Sequence, residues 1–236
     1  MKRLCIAALG SVALVGTAMA EDKDSQWSGE AELGFVSTSG NTETQTLKAK
    51  GKAVNERDSW KHELTLDALN TEDSKVRTAE RYNLAGKSSY DITVHDYGFG
   101  NISYEDDRFS GYEYRASLTA GYGRHVLTAD PVKLDLEAGV GGRKSKPDNG
   151  NTDNEAILRL AGFLDWKISD TSKLTEDLTS EIGDDVTISK SETGLKTQIN
   201  STLAMKISYM VKYTSKVPVG IEKVDRETAV TLVYGF

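Results

Sequence analysis

The chain has 236 residues, with 29 Lys and Arg against 36 Asp and Glu, for a formal net charge of −7. That balance excludes the broad basic face that nucleic-acid binding needs. Past the N-terminus no apolar run approaches the roughly 20 residues of a spanning helix, and only three prolines suit long, uninterrupted elements.

Residues 1–20 read as a secretory signal peptide. Lys2 and Arg3 form the positive start, residues 4–15 the apolar stretch, and Ala18-Met19-Ala20 a small-x-small cleavage site. The stretch is too short for a transmembrane helix and runs straight into EDKDSQ. The single cysteine, Cys5, lies inside it without a Leu-x-x-Cys lipoprotein pattern, so the mature chain needs no disulfide. Removing Lys2 and Arg3 leaves 29 − 2 = 27 basic residues against 36 acidic ones, a charge of −9. Residues 21–236 then form one exported domain.

Almost every later segment alternates at period two, the signature of a strand between two unlike surroundings. Trp27, Ala31, Leu33 and Phe35 share the apolar face of the first, against Glu30 and Glu32. Leu47, Ala49 and Ala53 oppose Lys48, Lys50 and Lys52 in the second. Trp60, Leu64 and Leu66 oppose Lys61, Glu63 and Asp67 in the third. Tyr82, Leu84, Gly86 and Tyr90 oppose Arg81, Asn83 and Lys87 in the fourth. In the fifth, Tyr97 and Phe99 fall on the opposite face from Ile102 and Tyr104, and a β-bulge near Gly98 and Gly100 is predicted to reconcile them.

The sixth sets Tyr112, Tyr114, Ala116, Leu118, Ala120 and Tyr122 against Glu113, Arg115 and Ser117. Val132, Leu134, Leu136 and Val140 oppose Lys133, Asp135 and Glu137 in the seventh. The eighth has Leu158, Leu160, Leu164 and Trp166 opposite Arg159 and Asp165. The ninth shows a weaker set, Leu174, Leu178 and Ile182. Leu195, Thr197, Ile199 and Leu203 face away from Glu192 and Lys196 in the tenth. Met205, Ile207, Tyr209, Val211 and Tyr213 mark the eleventh, and Thr228, Val230, Leu232, Tyr234 and Phe236 the twelfth.

Connections alternate as well. Those at 55–59, 91–93, 127–131, 167–173 and 201–204 are tight, whereas 70–76, 105–111, 144–154, 183–190 and 215–224 are longer and polar; 37–42 is short on the long side. Twelve strands with short turns at one end and longer loops at the other describe an antiparallel transmembrane β-barrel in the outer membrane of a Gram-negative bacterium. A soluble sandwich also alternates. Strands of about ten residues, aromatics near element ends and an apolar face dotted with Gly and Ala favour the membrane.

The barrel reading places outer-membrane lipid and lipopolysaccharide around the chain and puts the charges inside. Glu30, Glu32, Lys48, Lys50, Lys52, Glu63, Arg115, Asp135 and Arg159 become lumen residues, open either to small solutes through a water-filled pore or to mutual pairing in a filled core. Tyr234 and Phe236 become the aromatic end of the closing strand, which resembles the signal read by the barrel-assembly machinery.

The block W-S-G-E-A-E-L-G-F (Trp27, Gly29, Gly34) followed by S-G-N-T-E-T-Q-T (Gly40, Asn41, Thr42, Thr44, Thr46) resembles the salt-induced outer-membrane protein family, whose YdiY-like members carry a domain of unknown function. The likeness continues through R-Y-N-L at 81–84, the region from Asp106 and Phe109 to G-Y-G at 121–123, and the ending at 225–236. It implies an outer-membrane barrel, induced by salt in some members, and supplies no catalytic residues. From the residues themselves, Gly40-Asn41 suits a hairpin turn needing positive φ.

No cofactor or metal site is legible. The loop at 146–155 is rich in oxygen ligands but lacks calcium-loop spacing. His62 falls on the lipid face beside Leu64, and His95 and His125 flank turns on the periplasmic side. Nothing in their spacing marks a triad, so the chain is read as a non-enzyme, and a barrel hydrolase, supported by the three histidines alone, stands as the third reading after a pore and a filled structural barrel.

Overall fold

The computed structural model describes residues 26–39, 45–73, 76–148 and 150–236; residues 1–25, which include the stretch expected to be a signal peptide, and the expected Gly40-Asn41 hairpin turn lie outside the described residues. Twelve strands follow one another: β1 (Gln26–Ser39), β2 (Gln45–Arg57), β3 (Trp60–Asp73), β4 (Val76–Asp91), β5 (Asp96–Asp107) and β6 (Tyr112–Leu127). Then come β7 (Val132–Pro147), β8 (Asp153–Lys167), β9 (Ser172–Gly183), β10 (Thr187–Gln198), β11 (Leu203–Thr214) and β12 (Val224–Gly235). Each pairs antiparallel with its sequence neighbour, and β12 returns to β1, closing the barrel. Closure leaves no sheet edge, so the ladders satisfy the backbone without water, as a hydrocarbon surrounding requires.

The sides are inverted relative to a soluble protein. Leu33 and Val140 are 66% and 67% exposed, whereas Glu227 and Arg143 are 3% exposed. A surface of Leu, Val and Ile around a charged interior is stable only where the outside is lipid. Trp60, Tyr90, Tyr122, Trp166 and Tyr234 ring the outer face near the end carrying the tight turns, with Trp60 and Tyr90 in contact at 4.9 Å between ring centroids. Tyr82, Tyr104 and Tyr213 mark the other end, where Tyr104 stacks on Tyr114 at 5.9 Å. These are the two interfacial girdles.

Three expectations need correction. No bulge lies at Gly98 or Gly100: β5 pairs with β4 without interruption from Tyr97 to Asp107. Tyr97 and Phe99 instead point inward, 3% and 6% exposed, while Ile102 and Tyr104 face lipid. Room for the two rings comes from glycines across the wall. A Cβ on Gly123 would run into the Tyr97 ring, and one on Gly139 would stand 3.0 Å from Phe99 Cζ.

Tyr112 is the second. The register shifts between Tyr112 and Tyr114, turning Tyr112 into the lumen, where the Arg115 guanidinium lies 3.8 Å from its ring centroid. The third concerns the loops. Strand pairing continues to Asp73 and from Val76, to Asp107, to Pro147 and to Gly183, so most segments read as long polar loops are strand; the stretch at 215–223 remains long. Likewise Ile199 belongs to the turn after β10, and Leu203 opens β11. Charged and polar residues at strand ends mimic loop composition when they face a polar lumen.

Candidate functional site

Inward positions at successive heights carry opposite charges, and their long side chains reach across the lumen. Near the tight-turn end, Lys196 pairs with Glu30, Lys52 stands 3.7 Å from Glu63, and Lys61 3.2 Å from Glu63. His125 Nδ1 lies 2.7 Å from Asp135 Oδ1, with the Tyr97 ring 4.7 Å away.

Higher up, two carboxylates act as hubs. Glu137 receives Lys87, Arg159 Nη1 at 2.6 Å and the Tyr97 hydroxyl at 2.9 Å. Glu192 receives Lys50 at 3.2 Å and Lys190 at 3.1 Å, and Lys206 lies 3.5 Å from it while bonding Glu32 at 3.2 Å. Toward the other end Glu227 holds Lys48 and Arg81, the latter at 2.7 Å. There Arg143 pairs with Glu155 at 2.7 Å and reaches Glu181 at 3.4 Å.

The contact that spans furthest is Lys212 Nζ donating to Glu105 Oε1 at 2.6 Å. It joins β11 to β5, six places apart in a ring of twelve, hence opposite walls. Arg115 braces the same carboxylate at 3.6 Å. Lys50 to Glu192 and Arg81 to Glu227 each span four places. Such pairs are struts rather than neighbours on a ladder. For the groups so joined, pairing spares the low-dielectric wall a bare buried charge, which would be far costlier than a paired one.

Eight of the nine charges singled out from sequence therefore have opposite-charge partners, Glu30, Glu32, Lys48, Lys50, Lys52, Glu63, Arg115 and Arg159, and the ninth, Asp135, meets the His125 ring. Sequence reasoning missed Glu105, Arg143, Glu155, Glu181, Lys206 and Lys212 as members. Glu105 sits in a segment read as loop, and Lys206 and Lys212 share the face of β11 opposite Met205, Ile207 and Val211, where parity gives a position but no partner.

The seam that closes the barrel pairs β1 with β12, from Glu30 opposite Gly235 to Ser39 opposite Arg226, and Phe236 extends it. Gly29 N–H donates to Phe236 O at 2.8 Å and Phe236 N–H to Gly29 O at 3.0 Å. The Phe236 ring lies over Gly29 on the outer face, with Tyr234 6.2 Å away.

The histidines part company. His95 sits in the turn at 92–95, its N–H 3.2 Å from Thr93 Oγ1. His125 lines the lumen. His62 faces outward, with Ser88 Oγ 2.9 Å from its Nδ1. Among the described residues no group of three His, Cys, Asp or Glu is arranged to hold a metal ion.

Residues 31–236 match the family described as "Protein of unknown function, DUF481". The chain belongs to that family. The "Uncharacterized protein YdiY" of Escherichia coli (strain K12) is 31% identical over 207 residues, covering 87% of this chain and 82% of its own. Among solved structures the NanC porin shares the fold with a TM-score of 0.59 at 8% identity, over 86% of this chain and 98% of that one. The KdgM porin in complex with disordered oligogalacturonate gives 0.51 at 10% identity, over 88% and 99%. The translocator domain of the autotransporter NalP from Neisseria meningitidis gives 0.50 at 13%, over 89% and 88%. At such identities the likeness is one of fold: a closed barrel of the outer-membrane kind.

Proposed function

We propose that this protein is an outer-membrane permeability barrel whose lumen is narrowed by cross-wall ion pairs, giving small ions a restricted path and holding back larger solutes. The observation that carries this reading is the Lys212–Glu105 strut between opposite walls. A lumen lined by unopposed charge of one sign would focus a field and select ions. Here cations and carboxylates pair one against another, so the field largely cancels and selectivity is weak. The porins NanC and KdgM, similar in fold, support the placement in the outer membrane, as do the signal-peptide pattern and the apolar belt. Outer-membrane lipid and lipopolysaccharide surround the belt. β12, with Tyr234 and Phe236, is the strand offered to the barrel-assembly machinery.

Planar-bilayer recording of the purified protein tests this. Small steps with weak cation–anion discrimination are expected, and the paired change Lys212→Ala with Glu105→Ala should enlarge them several-fold. Wild-type steps as large as those of the paired variant would sink the strut reading. The dense pairing also favours a second reading, a sealed structural barrel without transport; no steps in either protein would establish it in place of the first.

A further inference from the structure

On the outer face, away from the lumen, three polar residues stand in a row across β2, β3 and β4. Asn55 is the ladder partner of His62, and His62 is the ladder partner of Ser88. Directly opposed residues of an antiparallel sheet share a face. Ser88 Oγ lies 2.9 Å from His62 Nδ1, within reach for proton transfer from hydroxyl to imidazole. Trp60 stacks on the His62 ring, 5.6 Å between centroids and 12° between planes, which restricts the orientation of the imidazole. Beside Ser88, β5 contributes Gly100 as ladder partner. A Cβ built there meets nothing within 4 Å, so the surface next to the hydroxyl is open.

Depth identifies what would lie against it. Trp60 and Tyr90 pair across the ladder at the girdle, the level of lipid headgroups. His62 and Ser88 are two residues further along their strands, roughly 5 Å toward the bilayer centre for a tilted strand. That is where headgroup gives way to acyl chain, the level of the glycerol ester carbonyls. Neither partner is needed by the backbone, whose ladders on both sides of β4 are continuous through Ser88.

We propose that Ser88 and His62 form an esterase site for the acyl esters of glycerophospholipids in the surrounding leaflet, with Asn55 as the positioning residue. Ser88 Oγ adds to the ester carbonyl carbon while its proton passes to His62 Nδ1. The carbon–oxygen bond to glycerol then breaks, and the glycerol oxygen leaves with that proton as a lysophospholipid. Water attacks the acyl-Ser88 and gives one proton to His62, which passes it to the serine oxygen as the acyl–oxygen bond breaks, and the fatty acid departs with water's oxygen and other proton. The sum is ester plus water to acid plus alcohol. With Nδ1 accepting, the ring proton sits on Nε2, and Asn55, across the ladder, is placed to fix that tautomer through its amide oxygen. Backbone amides around Ser88 are engaged in the ladders, so no ready oxyanion pair flanks it. Turnover is accordingly slower, by about 10²–10³-fold, than with such donors present.

The test uses the full protein in phosphatidylglycerol vesicles, with a fluorophosphonate probe read by peptide mass spectrometry and fatty-acid release read in parallel. Labelling confined to Ser88 is expected, absent in Ser88→Ala and slowed by about 10²-fold in His62→Ala. Fatty-acid release should vanish in both variants, whereas gel mobility and lumen conductance should stay as in wild type, since both residues lie on the outer face. Asn55→Ala should slow labelling and displace the midpoint of its pH profile, with Asn55→Asp recovering the rate. Labelling spread over many serines, or fatty-acid release equal in wild type and Ser88→Ala, would overturn the proposal.

Discussion

Glu137 and Glu30 are both inward carboxylates with cationic partners, yet their surroundings set very different energies. The Glu137 side chain is 0% exposed and serves Lys87, Arg159 and the Tyr97 hydroxyl. Glu30 is 39% exposed, with Lys196 as its hydrogen-bonded cation. Neutralising Glu137 strands two cations in a closed space, so Glu137→Gln is expected to cost about 3–5 kcal/mol, the range for breaking a buried pair from one side. Glu30→Gln leaves a cation that water can reach and should cost at most about 1 kcal/mol. Urea titration of the refolded protein in lipid, followed by heat-modifiable gel mobility, measures both; equal losses would contradict the hub role. From sequence, the parity of Asp135 and Glu137 already put both on the polar face. Their partners were not legible. Lys87 lies three strands away from Glu137 around the ring, a distance bridged only once curvature brings the walls together. His62 and Ser88 were hidden likewise, because their meeting depends on the β3–β4 register and not on any spacing within a motif.

At the level of single strands, β5 shows how strict alternation can look broken. Tyr97 and Phe99 belong to the lumen because Gly123 and Gly139 vacate the space their rings occupy. An aromatic residue on the inner wall reads as apolar, so a rule assigning apolar residues to lipid demands a bulge that the chain does not need. The same rule misplaced Tyr112, where a real register shift beside β7 is silent in the sequence. Gly123→Val tests the fit between β5 and β6. Its side chain would displace the Tyr97 ring and with it the hydroxyl that donates to Glu137 at 2.9 Å. Overpacking of this kind typically costs about 1–3 kcal/mol. The variant should unfold at lower urea than wild type, and Tyr97→Ala in the same chain should restore part of the loss by emptying the site. A double variant no better than Gly123→Val would show that the clash lies elsewhere.

For the molecule as a whole, the inverted distribution of charge and the strand count were readable, because a repeated two-residue period needs no knowledge of tertiary contacts. Closure was also anticipated, from the aromatic end of the twelfth strand. Its mechanics required the structure. Only the Gly29 partnership shows that Phe236 contributes both a pair of backbone hydrogen bonds and a ring laid over the opposite strand. β1 and β12 are furthest apart in sequence, so their pairing carries the largest loop-closure entropy of any ladder and is reached late. Contacts at that seam therefore weigh more on whether the barrel closes than on what passes through it afterwards. Deleting Phe236 removes two hydrogen bonds and the apolar cover of Gly29, while every lumen pair from Glu30 to Lys212 keeps its partner. The expected result is a several-fold smaller folded fraction in lipid refolding, with the molecules that do fold showing wild-type conductance and weak selectivity. Phe236→Tyr, which keeps ring and backbone, should fold like wild type. A deletion that folds fully but conducts differently would move the weight of Phe236 from the seam to the lumen.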